Sequence, residues 1–231
     1  MVAGQTTFTN GEGTITKAFK NMTSYNKHGV NVAKKWVEQR IRNEATALQF
    51  IKENTAIPVP AVSDVGEGKD GYYLTMEFFD SIPLDEIGDR CHMPSKPDHT
   101  ARNCERCRQL AGVNAAKFVQ GVLSPELERL RSTQTGLSGT IIPPPWIIEH
   151  DRREEWTVKE SCTPDFVFHH GDFGPHNVMM NSKTLKVLCV FDWENAGYYP
   201  RDFFVFPLTM EEYYDFYKDT ARVEKYVSLI E

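Results

Sequence analysis

FVFHHGDFGPHNVMM, residues 166–180, is the most informative stretch of the chain. An apolar segment runs into a turn that is rich in glycine and proline, and a second apolar segment follows. Short apolar runs bounded by such turn residues are typical of buried strands. The turn carries Asp172 and, five positions later, Asn177. We therefore expect a strand, a loop and a second strand, with these two polar side chains presented by the loop.

A polar turn at residues 181–184 joins this stretch to a further strand, which ends at Asp192. The resulting hairpin brings Asp192 to the same end of the strands as Asp172 and Asn177. Amide and carboxylate oxygens suit Mg²⁺, so we predict that Asn177 and Asp192 hold this metal. Asp172 then remains to orient a hydroxyl group and accept its proton. The alternative is that Asp172 and Asn177 only cap a turn, as such residues often do.

A long helix is predicted from Asn31 to Glu53, because apolar residues recur there at helical spacing. The apolar stripe of this helix passes through Glu44. A carboxylate on a buried stripe is costly unless a cation meets it. We therefore expect a positively charged side chain to pair with Glu44.

The run HGDFGPHN at residues 170–177, followed by VFDWENAG at residues 190–197, resembles the aminoglycoside phosphotransferase and choline kinase group, and in particular its fungal members. The resemblance extends over most of the chain from about residue 15 and implies a two-lobed α+β protein-kinase-like fold. Residues 1–79 would form a small antiparallel-sheet N-lobe with one long helix. Residues 80–231 would form a mainly helical C-lobe that contains the catalytic-loop hairpin.

The same resemblance assigns roles to individual residues of the C-lobe. The catalytic base of the family falls on Asp172, and the histidine that braces the catalytic loop falls on His170. The two metal-binding positions fall on Asn177 and Asp192. Mg²⁺ is the implied cofactor and ATP the implied co-substrate. For His176, inside the loop, contact with a phosphate or substrate and simple packing are both open.

In the N-lobe, residues 13–20 (GTITKAFK) alternate in character and predict a strand. Ala18 and Lys20 share one face of this strand, and Lys17 lies on the other. Ala18 and Lys20 resemble the positions where the family places the phosphate-gripping lysine, so Lys20 is the expected partner of Glu44. Lys17 is the alternative.

The segment YLTMEFF at residues 73–79 is similar to the strand and hinge that hold the adenine in this family. Met76 would flank the adenine, while the Glu77 carbonyl and the Phe79 amide would bond its edge. As a pattern alone, the segment is also consistent with an ordinary buried strand. The N-lobe is expected to be short, because the segment before Lys20 leaves little room for a pair of strands with a full glycine loop.

Bulk composition restricts the possible partners. The chain has 231 residues, a net charge of −6 and a pI of about 5.7, which disfavours nucleic acid and anionic membranes. No apolar run approaches the roughly 18 residues of a membrane span, and the first residues do not resemble a signal peptide. We therefore expect a cytoplasmic protein with reduced cysteines; its oligomeric state is not predicted.

A cluster of cysteine and histidine residues, between Cys91 and Cys107, raises the possibility of a zinc site. Only one C-x2-C pair is present, whereas a zinc knuckle usually has two such ligand turns. Cys104 and Cys107 also have the spacing of neighbours on one helix face. Buried or idle thiols are therefore favoured over zinc.

A small-molecule kinase is the function these patterns favour, and two other functions remain as alternatives. A non-catalytic binding module on the same scaffold would agree with the missing glycine loop. A protein kinase usually carries Arg at the position of Gly171 and needs a long activation segment, for which little chain remains after Asp192. Several acidic residues either attract a cationic amine substrate or form a solvated face: Asp151, Glu154, Glu155, Glu211 and Glu212.

Overall fold

The first sheet of the protein has four antiparallel strands in the order β1-β2-β4-β3. The computed structural model describes residues 6–20, 35–69, 71–93, 96, 98–151 and 153–230. The four strands are β1 (Thr6–Asn10), β2 (Thr14–Lys20), β3 (Val62–Gly68) and β4 (Gly71–Glu77). Contrary to expectation, the short segment before Lys20 does form a pair of strands, because Gly11–Gly13 close a tight hairpin between β1 and β2.

The inward face of this sheet is set by the register of β2 and β4. Lys17 lies opposite Leu74, and Ile15 lies opposite Met76, so these four side chains share one face. Lys17, Leu74 and Met76 are almost fully buried. Phe19, on the same face of β2, is buried as well. This face of the sheet therefore carries a charged lysine into the hydrophobic core.

The long helix α1 spans Val37–Asn54 and packs against this sheet. It begins later than predicted, since Trp36 has a left-handed backbone (φ 53°) and is not helical; residues 31–34 lie outside the described part of the chain. The predicted apolar stripe is confirmed: Ile41, Leu48 and Ile51 are buried, and Glu44 is buried among them.

The rest of the chain is mainly helical with two small antiparallel sheets of three strands each, ordered β10-β7-β6 and β5-β8-β9. The strands are β5 (Ser81–Pro83), β6 (Arg131–Ser132), β7 (Phe166–His169), β8 (Val178–Asn181), β9 (Val187–Val190) and β10 (Gly197–Tyr199). The helices are α2 (Glu105–Phe118), α3 (Ser124–Arg129), α4 (Pro145–His150), α5 (Met210–Lys218) and α6 (Thr220–Ile230).

Two apolar clusters hold these elements together. The larger one runs from the first sheet and α1 through α2 to Phe168 and Trp193. The smaller one joins α4, α6 and Tyr199 around the ring of Trp146. No described helix combines the length and the apolar character that a membrane span requires.

Candidate active site

At its start, the loop that follows β7 has a backbone conformation that only glycine can adopt without a clash. Gly171 has φ +84°, and a Cβ atom there would lie 2.1 Å from the carbonyl oxygen of Asn195. A single turn of 3₁₀ helix, Pro175–Asn177, then leads into β8. The predicted strand, loop and hairpin are therefore present, and the loop is pressed against the segment that follows β9.

His170 ties this loop to the end of β9. Its Nε2–H donates to the carbonyl of Phe191 (2.8 Å), and its Nδ1 accepts from the backbone N–H of Asp172 (3.2 Å). Burial lowers the pKa of His170 to about 4, so the imidazole is neutral and has one donor and one acceptor nitrogen. The ring also packs on Trp193, with centroids 4.5 Å apart. One side chain thus fixes the backbone on both sides of the candidate site.

Asn177 makes a second connection between the loop and β9. Its side-chain Nδ2 donates to the backbone carbonyl of Asp172 (2.9 Å), and its backbone carbonyl accepts from the N–H of Phe191 (2.9 Å). Because the amide nitrogen is used within the loop, the amide oxygen remains as the atom that can bind a metal. Asp192 follows Phe191 directly, with a left-handed backbone (φ 62°) and a side chain that is 31% exposed.

Among the described side chains, Lys17 is the lysine that contacts Glu44, whereas the sequence favoured Lys20. The Nζ of Lys17 lies 2.7 Å from Glu44, 2.9 Å from Glu194 and 2.5 Å from Asp192. The side chain of Lys20 lies outside the described residues. The reason for the correction is strand parity: the inward face of β2 is the one that carries Ile15 and Phe19, and Lys17 shares it.

The charge of Lys17 is stabilised by this surround of carboxylates. Burial alone would lower the pKa of Lys17, but Asp192, Glu194 and Glu44 together raise it well above its ordinary value. Burial raises the pKa of Glu44 to about 7, against the attraction of Lys17. The Oε1 of Glu44 is buried and accepts no hydrogen bond from the described residues. Glu44 is therefore held mainly by Lys17.

Arg40 and Glu194 belong to the same network, and the sequence prediction did not include them. Arg40 Nη1 lies 2.7 Å from Glu194 Oε1, and both side chains are buried. Asn43 donates to the carbonyls of Glu194 and Ala196, which fixes the backbone after β9 to α1. The sequence feature that could have identified Arg40 was its position one helical turn before Glu44, on the same buried face of α1. Among the described residues, the network joins the cations Lys17 and Arg40 to the carboxyl groups of Glu44, Asp192 and Glu194.

Asp172 is partly buried and is contacted by a tyrosine from the C-terminal part of the chain. The hydroxyl of Tyr213, on α5, donates to Asp172 Oδ1 (2.5 Å). Burial raises the pKa of Asp172 to about 7, although the Tyr213 hydrogen bond acts in the opposite direction. A capping box between Thr209 and Glu212 fixes the start of α5. Tyr213 was not predicted from the sequence, because it is one of many aromatic residues in that segment.

The remaining predicted residues lie in different settings. Met76 is buried on the face that carries Lys17, and Glu77 and Phe79 follow at the exposed end of β4. Ala18 lies on the opposite face of β2 from Lys17, whereas Ile15 lies on the same face as Lys17. His176 packs edge-on against Tyr213, with centroids 4.9 Å apart.

Residues 31–203 of the chain match a family model described as the phosphotransferase enzyme family. A comparison with curated proteins gives no match.

Among solved structures, the crystal structure of aminoglycoside-3'-phosphotransferase of type VIII is 16% identical, with a TM-score of 0.46 over 86% of this chain and 75% of that chain. The GDP complex of wild-type aminoglycoside 2'-phosphotransferase-IIIa is 10% identical, with a TM-score of 0.46 over 94% of this chain and 74% of that chain. WbdD, in a co-crystal with a kinase inhibitor, is 17% identical, with a TM-score of 0.42 over 83% of this chain and 31% of that chain. The present chain thus spans about a third of the length of WbdD.

Proposed function

Since the chain belongs to the phosphotransferase enzyme family, we propose that it transfers the γ-phosphoryl group of ATP to a hydroxyl group of a small molecule. The observation that carries this proposal is the ion network of Lys17, Glu44 and Asp192, which is joined through β9 to the loop of Asp172. The network thereby connects Lys17 of the first sheet to Asp172, Asn177 and Asp192, the three groups proposed to take part in phosphoryl transfer. Such chemistry depends mainly on positioning and on neutralising charge.

Lys17 is proposed to hold the nucleotide phosphates. Glu44 and Glu194 contact its ammonium group from two sides, so it stays in place when Asp192 turns to another partner. An ammonium group anchored in this way presents its remaining hydrogen to an incoming phosphate oxygen. Met76, Glu77 and Phe79, at the end of β4, are proposed to hold the adenine.

Asn177 and Asp192 are the residues proposed to hold Mg²⁺, which would neutralise charge on the phosphates. The donor set fits the metal: both groups offer hard oxygen atoms, and Asp192 is partly exposed.

Asp172 is proposed to be the catalytic base that aligns the acceptor hydroxyl and accepts its proton. A carboxylate with a pKa near 7 is a stronger base than an ordinary aspartate and is still about half ionised at neutral pH. His170 positions the Asp172 backbone through the Nδ1 hydrogen bond. Tyr213 contacts the same carboxylate oxygen and so lies beside the place where an acceptor would approach.

A non-catalytic nucleotide-binding module is the second candidate. It is favoured by the fact that both Lys17 and Asp172 already have polar partners within the chain. Binding of ATP without transfer would support this candidate, and turnover would reject it.

The test is a screen for ATP consumption with Mg²⁺ and a panel of amino-alcohols, sugars and aminoglycosides. We expect Asp172→Asn to keep the fold but to lower turnover by roughly 10²-fold or more, because the amide cannot accept the proton. Asp64→Asn serves as a matched control, since Asp64 is exposed on β3 and bonds only Tyr73 among the described residues. Near-normal turnover in Asp172→Asn would reject Asp172 as the base.

A further inference from the structure

Four potential metal ligands converge near the start of α2, well apart in sequence from the loop of Asp172. They are Cys91, His99, Cys104 and Cys107, and one ligand atom from each lies within 4.8 Å of all the others. The Nδ1 of His99 lies 3.4 Å from the sulfurs of Cys91 and Cys104 and 3.6 Å from that of Cys107. The sulfurs of Cys91 and Cys107 are 3.9 Å apart.

These spacings agree with a tetrahedral zinc centre. With Zn–S bonds of about 2.3 Å and a Zn–N bond of about 2.0 Å, tetrahedral geometry places neighbouring ligand atoms roughly 3.5–3.8 Å apart. The measured distances, 3.4 to 3.9 Å, bracket that range. Three thiolates and one imidazole are also one of the ligand sets that structural zinc sites use.

We propose that Cys91, His99, Cys104 and Cys107 bind a structural Zn²⁺ ion. Four protein ligands complete the coordination of zinc and leave no position for a reacting water, so the site is structural and not catalytic. Cys104 and Cys107 are fully buried, which shields the ion from solvent. Binding would displace the thiol protons of the three cysteines to solvent.

Backbone hydrogen bonds hold the segment that contains Cys91 next to the segment that contains Cys104. Cys104 N–H donates to the Gly88 carbonyl (2.6 Å), and Cys91 N–H donates to the Ala101 carbonyl (3.0 Å). Gly88 has φ +98°, and a Cβ there would lie 2.9 Å from the carbonyl oxygen of Cys104. The N–H of Met93 donates to the sulfur of Cys91 (3.3 Å), as is suitable for a sulfur that carries negative charge.

The position of His99 distinguishes a metal site from a disulfide or an idle thiol cluster. A disulfide would join two sulfurs and would give no reason for one imidazole nitrogen to contact all three. The sequence prediction favoured idle thiols because only one C-x2-C pair is present. In the structure, Cys91 and His99 supply the second pair from a longer loop, which closes on the first turn of α2.

Zinc at this site would fix the start of α2, and α2 reaches the hairpin that ends at Asp192. Asn114 of α2 donates to the carbonyl of Leu185, in the turn between β8 and β9 (2.7 Å). The first residues of α2 would then be anchored by metal bonds, in addition to the apolar contacts of Cys104 and Cys107 with the main core.

The direct test is the metal content and coordination of the full chain, expressed with zinc in the medium and purified under reducing conditions without chelators. We expect about one zinc ion per chain, with an X-ray absorption spectrum of three sulfur ligands and one nitrogen ligand. The double variant Cys91→Ser with His99→Asn changes the two partly exposed ligands, and we expect it to lose most of the zinc. The control is Cys162→Ser with His150→Gln, an exposed cysteine and an exposed histidine outside the cluster.

A second measurement covers the case in which the double variant does not fold. Metal-free wild-type protein, titrated with Co²⁺, should develop the visible absorption of a tetrahedral cobalt–thiolate site, and Zn²⁺ should then abolish it. Absence of both zinc and the cobalt spectrum in reduced wild-type protein would overturn the proposal. Equal zinc content in the wild type and the folded double variant would also overturn it, as would a disulfide between Cys91 and Cys107.

Discussion

At the residue scale, Lys17 decides the charge balance of the candidate active site. It is the one side chain that contacts Glu44, Asp192 and Glu194 together among the described residues. Removing one partner from a buried ion cluster commonly costs about 3–5 kcal/mol, because the other charges stay buried. Lys17 therefore contributes both to the fold and to the proposed phosphate site.

We predict that Lys17→Met weakens ATP binding by roughly tenfold or more, because the charged contact to the phosphates is lost. The variant should also unfold at a lower denaturant concentration than the wild type, since three carboxylates lose their common cation. Fluorescence or calorimetric titration with ATP measures the first effect. Lys20→Met is the matched comparison, and we expect affinity close to that of the wild type. If Lys20→Met loses ATP binding while Lys17→Met keeps it, the phosphate-holding lysine is Lys20, as first expected from the sequence.

The sequence predicted some of these residues and missed others for identifiable reasons. Glu44 could be found because a carboxylate on an apolar helical stripe requires a cation. The choice between Lys17 and Lys20 depended on which strand face points inward, and the flanking Ile15 and Phe19 mark that face. Tyr213 could not be found, since its contact with Asp172 joins segments far apart in the chain.

At the element scale, β7 and the elements around it enclose a histidine that stays neutral. His169 ends β7 and packs between Tyr199 of β10 and Phe203, just beyond that strand. Burial lowers the pKa of His169 to about 3, and its Nε2 has no hydrogen-bond partner among the described residues. In the unfolded chain, a histidine has a pKa of about 6.5.

This difference in pKa predicts how the stability of the protein depends on pH. Between pH 6.5 and about 3, the unfolded state binds the proton and the native state does not. The free energy of unfolding should therefore fall as the pH drops through this window, by up to about 1.4 kcal/mol per pH unit from His169. We expect His169→Gln to reduce that slope when urea unfolding is measured at several pH values.

His150→Gln is the control for this experiment, because His150 is exposed at the end of α4. It should leave the slope unchanged. An identical pH dependence in wild type and His169→Gln would show that the buried imidazole does not contribute in this way.

The strands and helices were predicted well where local pattern determines them. The hairpin of β8 and β9 and the helix α1 follow from apolar runs, turn residues and helical spacing. The hairpin of β1 and β2 was not expected, because the segment before Lys20 was judged too short for two strands. Its short, glycine-containing turn allows both strands to form in few residues. The proposed zinc site was disfavoured from the sequence because Cys91 and His99 lie on a loop whose path only the tertiary structure determines.

At the scale of the whole molecule, α1 joins the first sheet to the C-terminal part of the chain. One side of α1 supplies Glu44 to Lys17, while Arg40 and Asn43 hold the segment after β9. The predicted membership of the phosphotransferase family and the protein-kinase-like α+β fold are confirmed. The boundary between lobes at residues 79 and 80 stays a prediction, although the first sheet does end at Glu77.

Lys17, Asn177 and Asp192 are proposed to form one magnesium-dependent nucleotide site, and calorimetric titration with ATP is the most direct test of that site. Asp192→Asn is the suitable variant, because asparagine tolerates the left-handed backbone of this position while removing the charge. The wild type should bind ATP roughly tenfold or more tightly with Mg²⁺ than with EDTA, and Asp192→Asn should lose that difference. ATP affinity that is unaffected by Mg²⁺ in the wild type, or equally affected in both proteins, would contradict the claim.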